Sequence, residues 1–231
     1  MSKHRSTFRE YLEALLVAGL FLGFTNTFLF KTFFIPSSSM EPTLLIGDHL
    51  IVNRFIYDSE EPENAPGLLP IRPVERGDIV VFRSPEDPAT DLVKRCVARG
   101  GDTIAFQDKR LYINDEPVQD TFAVHRDPRI GGRSSFDPRH VRRDQFGPYT
   151  VPEDHFFCVG DNRDLSHDSR FWGPVPEELV KGRVSMIYWS YGGETSDGHW
   201  RGLGDKIAHL ARTAAGFFTK TRWSRTFHVP G

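Results

Sequence analysis

The chain has 231 residues and a hydrophobic fraction of 39%, enough to build the core of one large domain, so a disordered or fibrous protein is excluded. Its 29 Lys and Arg residues nearly balance 31 Asp and Glu residues, so the overall charge does not predict nucleic acid as a partner. Two cysteines, Cys96 and Cys158, are too few for a disulfide scaffold, and either a single bridge or two reduced thiols remains open.

The first predicted element is an apolar helix over residues 11–30, which would be roughly 30 Å long and could cross a bilayer once. Lys3, Arg5 and Arg9 precede it, so the positive-inside rule places residues 1–10 in the cytoplasm and the main domain outside it. A cleaved signal peptide is the alternative. It is disfavoured because the apolar run exceeds the usual length of about 7–15 residues and no A-x-A-like site follows.

Residues 31–195 are predicted to form a mainly β domain. Short runs rich in Val, Ile, Phe and Tyr recur between Gly, Pro and Asp residues, and no long apolar segment with a helical period lies among them. This pattern favours an antiparallel β-sheet without covering helices. A Pro-rich loop at 58–76 and a basic insertion at about 120–150 interrupt it. The basic tail over 196–231 has helical spacing, and it either packs on the domain or lies on a membrane surface.

The first segment that could carry chemistry is IPSSSMEPTLLIGD, residues 35–48. Acyl transfer needs a nucleophile, a base and an oxyanion site, and serines can supply the first and the last. In an extended chain Ser37 and Ser39 share one side. A flexible serine-rich linker is the alternative, but bulky apolar residues flank the serines on both sides, which is unusual for a linker.

The second segment is the predicted strand DLVKRCVAR, residues 91–99, in which Lys94 shares the less polar face with Leu92, Cys96 and Ala98. An unperturbed lysine has a pKa near ~10.4 and is a poor base at neutral pH, but burial among apolar residues lowers that value. Lys94 is therefore a candidate base. For this strand considered alone, a lysine that only extends to solvent is the alternative.

The third segment is GDNRDLSHDSRFWGPVP, residues 160–176, directly after the predicted strand HFFCV. An ordinary solvated loop is one interpretation. Polar groups packed at a sheet edge must instead pair with one another, so Asp168 with Arg170, or Asp161 with Arg163, are candidate ion pairs. The histidines and cysteines lack metal-ligand spacing and no Gly-rich phosphate loop occurs, so neither a metal nor a cofactor is predicted.

Taken in this order after an amino-terminal apolar helix, the three segments resemble the type I signal peptidase family. SSSMEPT at residues 37–43 is similar to the family's S-x-S-M-x-P-T box, and RGDIVVF with Lys94-Arg95 resembles the region of its catalytic lysine. Residues 160–176 resemble its last signature box, although Leu165 stands where Asn is common. The resemblance covers about residues 11–107 and 150–190.

By position, the resemblance implies that Ser39 is the nucleophile and Lys94 the general base. It implies that Ser166 orients Lys94 and that Ser37 stabilises the oxyanion beside the Ser39 amide. Asp161, Asp168 and Arg170 would support the site. The fold implied is the antiparallel catalytic domain of signal peptidases, without cofactors. The side chains that would line the substrate pockets are Phe33, Ile35, Met40, Leu44, Leu50, Val81, Leu92 and Val93.

The implied function is removal of signal peptides from exported preproteins at the plasma (inner) membrane, with small residues one and three places before the cut. The lipid bilayer is then a partner and nucleic acid is not. A self-cleaving repressor-type protease is disfavoured by the apolar amino-terminal segment and by the lack of a DNA-binding module. A non-catalytic, membrane-tethered β-domain that only binds peptides is the remaining alternative.

Overall fold

The computed structural model of the protein describes residues 7–24, 30–54, 73–131, 137–193 and 202–231. Most of the predicted Pro-rich loop, and parts of the predicted insertion and tail, lie outside these ranges. The strands are β1 (Phe30–Phe34), β2 (Asp48–Asn53), β3 (Ile79–Arg83), β4 (Asp91–Arg99), β5 (Thr103–Gln107), β6 (Arg110–Ile113), β7 (Glu116–Pro117), β8 (Phe146–Thr150), β9 (His155–Val159), β10 (Val175–Pro176) and β11 (Val180–Ser190). The helices are α1 (Thr7–Phe24), α2 (Pro138–Asp144), α3 (Ser169–Trp172), α4 (Leu203–Ala215) and α5 (Phe217–Lys220).

The strands within the described ranges form two antiparallel sheets. The larger has seven strands in the order β1-β2-β11-β3-β4-β9-β10, and the smaller has four in the order β7-β6-β5-β8. The mainly β, antiparallel class is therefore confirmed. Because β8 pairs with β5 in the smaller sheet, the end of the stretch predicted as an insertion belongs to the regular fold.

Helix α1 does not support the predicted membrane span. Within the described part of the chain, no helix is both long and apolar enough to cross a membrane. Residues 25–29, which complete the predicted span, lie outside the described residues. The apolar side chains of α1 are exposed, among them Leu15, Leu16, Leu20 and Phe21.

Strand β4 carries both apolar core residues and buried ionisable residues. Val93 packs against one apolar cluster, which contains Leu50, Val81 and Ile187, whereas Val97 belongs to a second cluster under the smaller sheet. Lys94 and Arg95 occupy the positions between these two contacts, and both are buried. A strand anchored by apolar residues on either side can hold two ionisable side chains inside the protein.

The two cysteines face one another. Cys96 on β4 and Cys158 on β9 are partners in the antiparallel register, and both are buried free thiols. Burial raises the pKa of the Cys158 thiol well above its ordinary value, so the thiolate is disfavoured there.

The carboxy-terminal tail folds back over the larger sheet. Arg225 donates to the buried carboxylate of Asp48 at 2.6 Å, and the backbone at His228 pairs with Ile187 of β11. Helix α4 buries little of its apolar face, because Ile207 and Leu210 on that face are 59% and 70% exposed.

Candidate active site

Ser39 lies in the turn segment between β1 and β2, where apolar neighbours hold it in place. Ile35, Met40 and Leu44 are all buried in the first core cluster, which explains why this serine-rich segment is not a flexible linker. Ser39 itself is buried. Its carbonyl oxygen accepts a hydrogen bond from the backbone N–H of Asn162 at 3.1 Å, so the segment is also fastened to the loop after β9.

Lys94 reaches this serine from β4. Its Nζ lies 2.6 Å from Ser39 Oγ, and the lysine is only 4% exposed. Burial lowers the pKa of Lys94 to about 8, against the opposing influence of the Asp168 charge. A lysine with such a pKa carries a substantial neutral fraction near neutral pH, and a neutral amine in contact with a hydroxyl can accept its proton.

Ser37 is the second hydroxyl at the site. Its Oγ lies 3.4 Å from Ser39 Oγ, and the residue is exposed to solvent. A hydroxyl so close to Ser39 Oγ could donate to an oxyanion formed by attack of that oxygen.

Ser166 is also brought to the site, but without the contact that the resemblance implies. The residue is buried, and its Oγ makes no hydrogen bond to Lys94 Nζ in the described structure. It lies instead beside Gly160. A Cβ atom at Gly160 would stand 2.3 Å from Ser166 Oγ and 2.4 Å from the carbonyl oxygen of Ser39.

Gly160 is therefore a position in close contact with the candidate site that the sequence analysis missed. No residue with a side chain fits there without displacing Ser39 or Ser166. The only sequence signal is its place at the start of the GDN motif, immediately after β9. Asn162 in the same motif was missed as well, and its Nδ2 donates to the carbonyl oxygen of Ser38 at 3.1 Å.

The loop of residues 160–170 is held by buried ion pairs. Asp168 pairs with Arg170 at 2.9 Å, as predicted. The carboxylate of Asp168 also accepts from the N–H of Gly160. Burial alone would raise the pKa of Asp168, but the Arg170 charge and hydrogen bonds outweigh it, so the pKa is lowered.

Asp161 does not pair with Arg163, the alternative that the sequence suggested. Its two carboxylate oxygens each accept from Arg95 at 2.8 Å, and Arg163 pairs with Asp120 instead. Thr43 Oγ1 adds a third hydrogen bond to Asp161, at 2.6 Å. This carboxylate thus joins β4 to the segment that carries Ser39.

The predicted pocket residues fall into two groups. Seven of the eight share the cluster beneath Ser39, namely Phe33, Ile35, Met40, Leu44, Leu50, Val81 and Val93. Leu92 does not, and packs with Val80 and Phe82 in a third cluster. The reason is the alternation of β4, which sends Leu92 and Val93 to opposite faces, so only Val93 reaches the cluster beneath the serine.

Two strand edges near the site have hydrogen-bonding groups available. β1 stands at the border of the larger sheet and pairs with β2 on one side. Among the strands that the structure describes, residues 91–94 of β4 pair only with β3, because pairing with β9 begins at Arg95. Such edges can accept an extended peptide.

Known proteins similar to this chain fall in one family. The family described as signal peptidase, peptidase S26, matches residues 8–189. Signal peptidase I of Pseudomonas aeruginosa is 34% identical over 190 residues, which cover 72% of this chain and 67% of the relative. Signal peptidase I of Aquifex aeolicus is 30% identical over 228 residues, covering 79% of this chain and 84% of the relative.

Among solved structures, a signal peptidase I from Enterococcus faecalis has 30% sequence identity and a TM-score of 0.38, over 49% of this chain and 97% of that one. The family match covers well over half of the 231 residues. The chain therefore belongs to the signal peptidase family, peptidase S26, and is a serine endopeptidase of the signal peptidase I type.

Proposed function

We propose that the protein removes signal peptides with Ser39 as nucleophile and neutral Lys94 as general base. The observation that carries this proposal is the 2.6 Å contact between Lys94 Nζ and Ser39 Oγ in a buried setting. A buried amine that contacts a hydroxyl favours the neutral form, which is the form a base needs.

The proposed reaction has two stages. Lys94 takes the proton of Ser39, and Ser39 Oγ attacks the scissile carbonyl carbon to give a tetrahedral oxyanion. The Ser37 hydroxyl and the Ser39 amide stabilise that oxyanion, and Lys94 returns the proton to the leaving amine. Water, with Lys94 again as base, then hydrolyses the acyl-enzyme ester. The buried hydroxyl of Ser166 accepts from the Lys94 amine and aims it while a substrate is bound.

The substrate is proposed to bind as an extended strand between β1 and residues 91–94 of β4. Backbone groups on both edges would pair with it, and alternate side chains would enter the cluster beneath Ser39. Ile35 and Leu44 are buried and Val93 is partly buried in that cluster, and we propose that the side chains one and three places before the cut are small. Leu92, on the other face of β4, is not part of this pocket.

We also propose that the enzyme works at a lipid bilayer. Supporting this, the exposed apolar side chains of α1 form a surface that a membrane interior would accommodate. The basic residues that precede α1 in the sequence favour a cytoplasmic amino terminus and an extracytoplasmic catalytic domain. The bilayer in question would be the inner membrane, where preproteins emerge.

Cleavage of a purified preprotein by the detergent-solubilised protein tests the proposal. Ser39→Ala should abolish cleavage because the acyl-enzyme cannot form without the hydroxyl. Ser38→Ala is the matched control and should retain most of the activity, since it removes a neighbouring hydroxyl and keeps the pair intact. Substantial cleavage by Ser39→Ala would exclude Ser39 as the nucleophile. Signal-peptide binding without cleavage by the wild type would support the non-catalytic alternative.

A further inference from the structure

Residues 120–127 contact the active-site loop at several points, although the proposed reaction does not use them. We call this segment the clasp. It lies in the stretch that the sequence marks as a basic insertion, and its contacts reach both residues 160–164 and the segment that carries Ser39. The clasp therefore stands where it can affect the geometry of the site.

The backbone of the clasp pairs with the loop. The N–H of Val124 donates to the carbonyl oxygen of Asp161 at 2.8 Å, and its own carbonyl oxygen accepts from the N–H of Arg163 at 3.0 Å. Between those two residues, Asn162 donates from its backbone to Ser39 and from its side chain to Ser38, both at 3.1 Å. The loop is thus fixed between the clasp and the nucleophile segment.

Side chains of the clasp cover the buried cations of the site. The ring of Phe122 lies 3.7 Å from the guanidinium carbon of Arg95, which pairs with Asp161. Asp120 pairs with the buried Arg163. An aromatic face and a carboxylate both stabilise a guanidinium that has been removed from water.

One contact joins the clasp directly to the nucleophile segment. Arg126 Nη2 donates to Glu41 Oε2 at 2.7 Å, and Glu41 follows Ser39 by two residues. The Glu41 side chain is 18% exposed and that of Arg126 51% exposed. A change at either residue therefore need not disrupt the core, and any effect on the reaction would report on placement of the segment.

We propose that the clasp positions Ser39 against Lys94, and that Arg126 is a positioning residue that acts through Glu41. Attack requires the nucleophilic oxygen to stand within a narrow range of distances and angles, and a displacement of about 1 Å can cost on the order of 10²-fold in rate. A tether two residues from Ser39 limits such displacements. This inference rests on the proposed role of Ser39.

Charge exchange across the pair tests the inference in the full chain, with kcat and KM measured for a purified preprotein. Arg126→Glu and Glu41→Arg should each lower kcat by about fivefold to tenfold and leave KM within about twofold, because the contact is partly exposed. The double variant, which restores opposite charges with exchanged positions, should return kcat to within about twofold of the wild type. A general loss of folding would not be repaired in this way.

Arg139→Glu is the matched control. Arg139 is an exposed arginine of α2 in the same insertion, and its side chain has no hydrogen bond or ion pair among the described residues. Its kcat should equal that of the wild type. An unchanged kcat in Arg126→Glu, a double variant as slow as the single ones, or an equal loss in Arg139→Glu would each overturn the inference. Such results would leave the Ser39→Ala test of the proposed function untouched.

Discussion

Lys94 and Arg95 are adjacent on β4, and both are buried, yet their side chains bind different kinds of group. The Lys94 amine contacts the hydroxyl of Ser39, whereas the Arg95 guanidinium is bound at two points by the carboxylate of Asp161. Burial without a carboxylate in contact favours the neutral amine and lowers the pKa of Lys94 to about 8. Two hydrogen bonds to one carboxylate hold the Arg95 guanidinium in a fixed orientation. One strand therefore carries the proposed base and an anchoring residue side by side.

Lys94→Met should give the largest effect, because it removes the proposed base while keeping an apolar side chain of similar length in a buried position. Cleavage of a preprotein should fall below detection. At neutral pH the free energy of unfolding should rise, by up to about 3 kcal/mol, because Met does not carry the cost of burying a charged amine. Urea unfolding of both proteins measures this.

The direction of the Lys94 pKa shift determines how this stability difference varies with pH. The pKa of Lys94 is lower in the folded state than in the unfolded chain. Between about pH 8 and the ordinary pKa of 10.5, the unfolded chain therefore binds more protons than the folded protein. The cost of burying Lys94 is complete below that window and disappears as pH rises through it. Wild type and Lys94→Met should therefore converge in stability at alkaline pH. A constant difference across the window would contradict the lowered pKa.

Asp161→Asn should affect stability more than any single change on the surface. It leaves the buried Arg95 guanidinium without a counter-charge, and loss of one partner of a buried ion pair costs roughly 3–5 kcal/mol. Urea unfolding at neutral pH measures the loss. Glu86→Gln, which alters an exposed hydrogen bond to His167, is the control and should change stability by less than about 0.5 kcal/mol. If Asp161→Asn and Glu86→Gln both changed stability by less than about 0.5 kcal/mol, the pair of Arg95 and Asp161 would not stabilise the fold.

The sequence was most informative where the pattern is local. The alternation of residues 91–99 predicted an apolar setting for Lys94, and the apolar flanks of the serines predicted an anchored segment. The structure brings Ser39, Ser37, Lys94 and Ser166 together, which local patterns alone could not do. The antiparallel β class followed from short β-branched and aromatic runs between turn residues.

Long-range pairing was beyond the sequence. Asp161 has an arginine two residues away, yet its partner is Arg95, because β9 places the loop directly beside β4. Leu92 was grouped with Val93 although neighbouring residues of a strand face opposite sides. The close approach at Gly160 arises because the segments that carry Ser39 and Ser166 both contact this glycine, and a single sequence does not predict such a contact.

The pH profile of cleavage tests the role proposed for Lys94, because the pKa of this lysine is lowered into the range where cleavage can be measured. With a pKa of about 8, Lys94 would be neutral in roughly a tenth of the molecules at pH 7, so kcat/KM should rise about tenfold between pH 7 and the alkaline plateau. A bound substrate excludes water and lowers the pKa of Lys94 further, so the acidic limb of kcat should lie at lower pH than that of kcat/KM.

The competing base would be a histidine. Burial holds the pKa of His125 below its ordinary value, but this histidine lies next to Asp164 and not next to Ser39. Replacing His125, His140, His155 or His167 by Gln should therefore leave both limbs in place. An acidic limb that disappears or moves by more than about one pH unit in one of these variants would assign the base to that histidine and remove Lys94 from the role.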